Sequence, residues 1–82
     1  MAVYSKQTRL KPEKVLERAV AFFGPGGLGL EVCAQDSCSV SFTGGGGHVS
    51  ILTRSEEGKT NVELETREWD IQVREFLRRI AR

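Results

Sequence analysis

His48-Val49-Ser50-Ile51-Leu52-Thr53-Arg54-Ser55-Glu56-Glu57-Gly58-Lys59-Thr60-Asn61-Val62-Glu63-Leu64-Glu65 holds two runs of period two joined by a charged turn. Alternate residues of a strand point to opposite faces, so Val49 and Ile51 form one side while His48, Ser50, Leu52 and Arg54 form the other. Ser55 to Lys59 reads as the turn. Beyond it Val62 and Leu64 face inward, and Asn61, Glu63 and Glu65 face outward. This is the pattern of an antiparallel hairpin with one buried and one solvated face.

The same period extends upstream. Val40 and Phe42 stand opposite Ser39, Ser41 and Thr43, and before the polar turn Gln35-Asp36-Ser37 the residues Leu28, Leu30, Val32 and Ala34 stand opposite Gly29, Glu31 and Cys33. Pro12 suits the first turn of a helix, where its missing N–H costs nothing, and Val15, Leu16, Ala19, Val20 and Phe23 follow at helical spacing. Gly24 is expected to close that helix in the left-handed conformation, with Pro25 blocking continuation. At the other end Thr66 is the expected N-cap of a second helix. Glu68 and Asp70 follow in its first turn, and Arg78, Arg79 and Arg82 crowd its last, as the helix dipole favours. Trp69, Val73, Phe76, Leu77 and Ile80 make one apolar stripe, and Asp70/Arg74 and Glu75/Arg79 are spaced as i,i+4 ion pairs. Residues 1–9 alternate weakly and read as an edge strand or an arm.

These elements predict an α+β domain, two-layered, with a four- or five-stranded antiparallel sheet and two helices packed on one face, in the order (β)-α-β-β-β-β-α. In element order alone, and through no motif, this resembles one repeat of the TATA-box-binding protein and shortened helix-grip domains. Fold does not carry function with it.

With 82 residues, residues 1–82 are read as one domain, too small to spare core volume for a large internal cavity. The 39% hydrophobic and 28% charged residues are those of a globular chain rather than a disordered one. No apolar run approaches the roughly 18 residues of a membrane span, and the first residues lack a signal pattern, so the expected location is cytoplasmic, away from membranes. Charge is uneven. Residues 1–18 carry five cations against two anions, residues 19–66 two against six, and residues 67–82 five against three.

Several stretches invite a functional reading. Gly24-Pro25-Gly26-Gly27-Leu28-Gly29 has the letters of a dinucleotide fingerprint, but a helix precedes it and a strand follows, which reverses the context that fingerprint needs. It is read as a helix end. Gly44-Gly45-Gly46-Gly47-His48 is the least ordinary run, because four glycines are costly to order and are tolerated where backbone approaches something closely. It lacks the Lys-Ser/Thr and following helix of a nucleotide loop, so a hairpin connection outranks a ligand loop. Cys33 and Cys38 flank a hairpin turn, where a cross-strand contact would be geometrically open, and with His48 they supply at most three metal ligands, so no metal and no cofactor are expected.

The expected function is a non-catalytic binding or assembly module. It would use the polar sheet face and the glycine-rich loop, with Gly44, Gly45, Gly46, Gly47, His48, Ser50, Glu63 and Glu65 as the candidate ligand-binding residues. Its partner would be a protein or a small ligand, with a homodimer left open through the exposed Leu52 or by acidic sheet on basic helix, head to tail. One alternative is a small enzyme using His48 with Ser50 or a sheet carboxylate. Another is nucleic-acid binding through Arg74, Arg78 and Arg82, ranked lower because no aromatic stands at an outward strand position and the arginines interleave with acids.

Overall fold

A computed structural model describes residues 2–81; the expectation for Arg82 lies outside them. Among these residues five strands and two helices follow one another as β1 (Ala2–Thr8), α1 (Pro12–Phe23), β2 (Glu31–Gln35), β3 (Ser39–Gly44), β4 (Gly47–Glu56), β5 (Lys59–Arg67) and α2 (Asp70–Ile80). The fold is α+β, with β2 to β5 forming a meander and β1 returning beside β5, so the sheet order is β1-β5-β4-β3-β2, antiparallel throughout. The N-terminal segment is therefore a full edge strand, paired from Ala2↔Thr66 to Thr8↔Thr60.

Both helices cover one face, α1 over β3 and β4 and α2 over β5 and β1. The core joins Val15, Leu16, Ala19 and Phe23 of α1 and Val73, Phe76, Leu77 and Ile80 of α2 to Val40, Phe42, Val49, Ile51, Val62 and Leu64 of the sheet. Phe23 sits at its centre, with ring centroids 4.9 Å from Phe22, 5.3 Å from Phe76 and 5.6 Å from Phe42. Contacts at such distances add to plain burial. No helix among the described residues is long and apolar enough to cross a membrane.

Five expectations are corrected. Gly24 ends α1 in an extended rather than left-handed conformation, and a Cβ there would stand 2.4 Å from the Val20 carbonyl oxygen. The glycine-rich run then folds back over the helix end, where the N–H of Leu28 donates to Phe22 and that of Leu30 to Phe23, both at 2.9 Å. These bonds satisfy carbonyls that a helix C-terminus leaves open. Thr66 is not an N-cap. It occupies an inward position of β5 and donates its hydroxyl to the His48 carbonyl at 2.9 Å, so α2 begins only after Glu68 turns the chain with φ of 75°.

In β2 the register slips between Val32 and Ala34, and this bulge places Ala34 opposite outward-facing Ser41 instead of beside Val32 on the core side. Leu28 lies before the strand and is exposed. Of the two spaced ion pairs, Glu75–Arg79 forms at 2.9 Å. Asp70 instead accepts the Tyr4 hydroxyl at 2.8 Å, and Arg74 lies 5.9 Å from the centroid of the Tyr4 ring.

Candidate functional site

Among the described residues, the face of the sheet turned away from the helices is the broad surface of the strands without cover. Register places its side chains in rows. Val3, Glu65, Ser50 and Ser41 share one row, Ser5, Glu63, Leu52 and Ser39 the next, and His48 stands between Arg67 and Thr43. The middle of the face is thus acidic on β5 and carries one large apolar side chain, Leu52, on β4. Leu52 is 42% exposed, and Val3 at the edge is 63% exposed.

A shallow depression of about 660 Å³ lies beside Leu52, lined also by Ser5, Gln7, Arg54, Asn61 and Glu63. A smaller one of about 200 Å³ runs past Ser41, Ser50, Leu52, Glu63 and Glu65. The candidate residues His48, Ser50, Glu63 and Glu65 all stand on this face. His48 Nε2 is 3.5 Å from Glu65 Oε1, and Ser41 donates to the Ser50 hydroxyl at 3.3 Å. Among the described residues Glu63 has no ion-pair partner.

The glycine run is placed differently from the rest. Gly44 and Gly47 close the β3–β4 ladder, and Gly45 and Gly46, with φ of 60° and 80°, form a two-residue turn of the primed kind. The indole of Trp69 covers this turn. Its Nε1 donates to the Gly44 carbonyl at 2.9 Å, and a Cβ on Gly45 would stand 2.7 Å from Trp69 Cζ2. Gly47 is held closer still, since a Cβ there would stand 2.0 Å from the Arg67 carbonyl oxygen. The close approach that four glycines permit is therefore made to Trp69 and to the end of β5.

Both cysteines are free and exposed. Cys33 is the residue skipped by the β2 bulge, while Cys38 lies in the turn, so they do not face each other across the ladder. That turn is built on Asp36, whose carboxylate accepts the backbone N–H groups of Cys38 and Ser39, each at 2.9 Å, and the Ser39 hydroxyl at 3.0 Å. These bonds, the Cys38 N–H foremost, hold its carboxyl below the ordinary aspartate value. Among the described residues no group of three or more His, Cys, Asp or Glu side chains is arranged to hold a metal ion.

Four threonines stand inward and are buried. Thr53 donates to the Cys38 carbonyl at 2.9 Å, Thr60 to Leu10 at 2.7 Å, Thr66 to His48, and Thr8 to the Ile80 carbonyl at the end of α2. Each buried hydroxyl thereby meets a backbone acceptor.

No protein-family model matches the chain, and no curated protein matches it.

Proposed function

We propose that the chain is a non-catalytic interaction module that meets its partner with the open face of the sheet. The observation that carries this reading is the exposed Leu52 set beside the unpaired Glu63 in the middle of an uncovered five-stranded face. An apolar anchor ringed by polar groups is the usual composition of a recognition patch. The sheet edges support the face over strand addition. On β1, Lys6 stands on the helix side, paired in register with buried Val62, yet remains exposed, and β2 carries a bulge in its ladder with β3. Inward charges and bulges are both devices that blunt an edge. The acidity of Glu63 and Glu65 on β5 favours a basic partner.

A second reading rests on His48 and Glu65 at 3.5 Å beside the Ser41–Ser50 hydroxyl pair, a constellation that hydrolytic chemistry could use. A ¹⁵N-HSQC titration separates the two, using octalysine, a nucleotide mixture and a short DNA duplex as probes. The interaction reading expects octalysine to shift Ser50, Leu52, Glu63 and Glu65, and expects Glu63→Gln/Glu65→Gln to abolish those shifts. Shifts confined to Arg74–Arg79 with DNA, or none on the open face, overturn it. Turnover of an ester or phosphoester panel that disappears in folded His48→Ala would install the second reading instead.

A further inference from the structure

The open face has a counterpart on the same molecule. Along the outer side of α2, Ile71, Arg74 and Arg78 are exposed at i, i+3 and i+7, which places them in one stripe. Ile71 is 77% exposed, the most of any large apolar side chain described. Among the described residues Arg74 has no ion pair, its guanidinium lying 5.9 Å from the centroid of the Tyr4 ring, and Arg78, itself largely exposed, pairs only with half-buried Glu75 of its own helix at 2.7 Å. The stripe is one apolar knob followed by two cations.

The spacings agree. On a helix Ile71 and Arg74 rise by about 4.5 Å and Arg74 and Arg78 by about 6 Å, while alternate residues of a strand are about 6.6 Å apart. A helix laid along β5 therefore sets Arg74 over Glu63 and Arg78 over Glu65. Ile71 then falls between the levels of Glu63 and Asn61, over the depression walled by Leu52, which pairs in register with Glu63. The two faces of one chain thus match in apolar content and in the charge and pitch of the Arg74–Arg78 and Glu63–Glu65 pairs, with Arg54 and Arg67 flanking the two glutamates on the same face.

We infer that the occupant of the open face is α2 of a second copy of this chain, seated with Ile71 against Leu52 and Arg74 and Arg78 against Glu63 and Glu65. This rests on the proposed interaction role of the open face. The contact is heterologous, because the helix layer and the open face lie on opposite sides of the sheet, so each added copy presents a fresh open face and association does not close into a dimer. One helix stripe on one sheet face is a small contact. The association is therefore weak and salt-sensitive, with charges beyond about 3 Å screened at 1 M salt.

The test is sedimentation equilibrium on the whole chain, with folding of each variant checked by HSQC. The wild type should gain average mass steadily between about 0.05 and 1 mM at low salt without reaching a dimer plateau. Glu63→Gln/Glu65→Gln and Arg74→Gln/Arg78→Gln should each weaken association at least about tenfold. An equimolar mixture of the two should form a 1:1 complex of near wild-type affinity, since one retains the helix and the other the face. A wild type that stays monomeric to about 1 mM, one that plateaus as a dimer, or a mixture that associates no better than its components overturns the inference. Octalysine shifts on the open face of a monomeric wild type would leave the interaction role standing, whereas their absence would remove both.

Discussion

The two turns that bracket β4 share a backbone and differ in what lies above them. Gly45-Gly46 joins β3 to β4 with φ of 60° and 80°, and Glu57-Gly58 joins β4 to β5 with φ of 46° and 80°. Both are primed two-residue turns, the kind whose twist matches a right-handed hairpin. In the second turn a glutamate accepts the left-handed conformation, and the ladder closes on Glu56 and Lys59, both with full side chains. In the first, all four equivalent positions are glycine. Conformation alone does not demand this. Trp69 lies over Gly45 and the end of β5 lies against Gly47, so there the missing Cβ atoms make room for neighbours. A run of glycines that looks like a ligand cradle is in this chain the seat of a tryptophan.

Substitutions can break or sharpen that comparison. Gly47→Ala should have the largest effect, about 3 kcal/mol or more by urea denaturation, because the new Cβ meets backbone that cannot move aside. At the matching position Lys59→Ala should be nearly silent. Gly45→Ala should cost about 2 kcal/mol, from left-handed strain plus the indole, and in a Trp69→Ala background that penalty should shrink by about 1 kcal/mol. An undiminished penalty would assign the glycine to backbone conformation only. Smallest, Glu57→Asn should stabilise by up to about 0.5 kcal/mol, since asparagine accepts the left-handed region more readily.

Much of the fold was legible because period and punctuation agree. Pro12 and Gly24 bracket α1 as expected, and the alternation from Val40 to Glu65 assigns the strands to their faces. The misreadings share a cause: a local motif was outvoted by tertiary register. Thr66 has the chemistry of a helix cap, but its place in the β5 ladder turns it inward, where the His48 carbonyl takes its hydroxyl. The β2 bulge at Cys33 has no marker in a sequence read at period two, so alternation alone sends Ala34 to the covered face. At the candidate site, the outward stations of His48, Ser50, Glu63 and Glu65 follow from alternation alone. The pairing of His48 with Glu65 needs the order of strands, and the cover over the glycine run needs Trp69, some two dozen residues away, which no local window contains.

Strand β1 touches both ends of α2, Tyr4 bonding Asp70 at its start and Thr8 bonding the Ile80 carbonyl at its finish. The first and last elements of the chain are thus splinted together, while the hairpins between them close through short connections of their own. When the structure opens locally, β1 and α2 should leave as one unit, so the amides of α2 and the β1-facing amides of β5 should share a single hydrogen-exchange rate, distinct from that of the β3–β4 ladder.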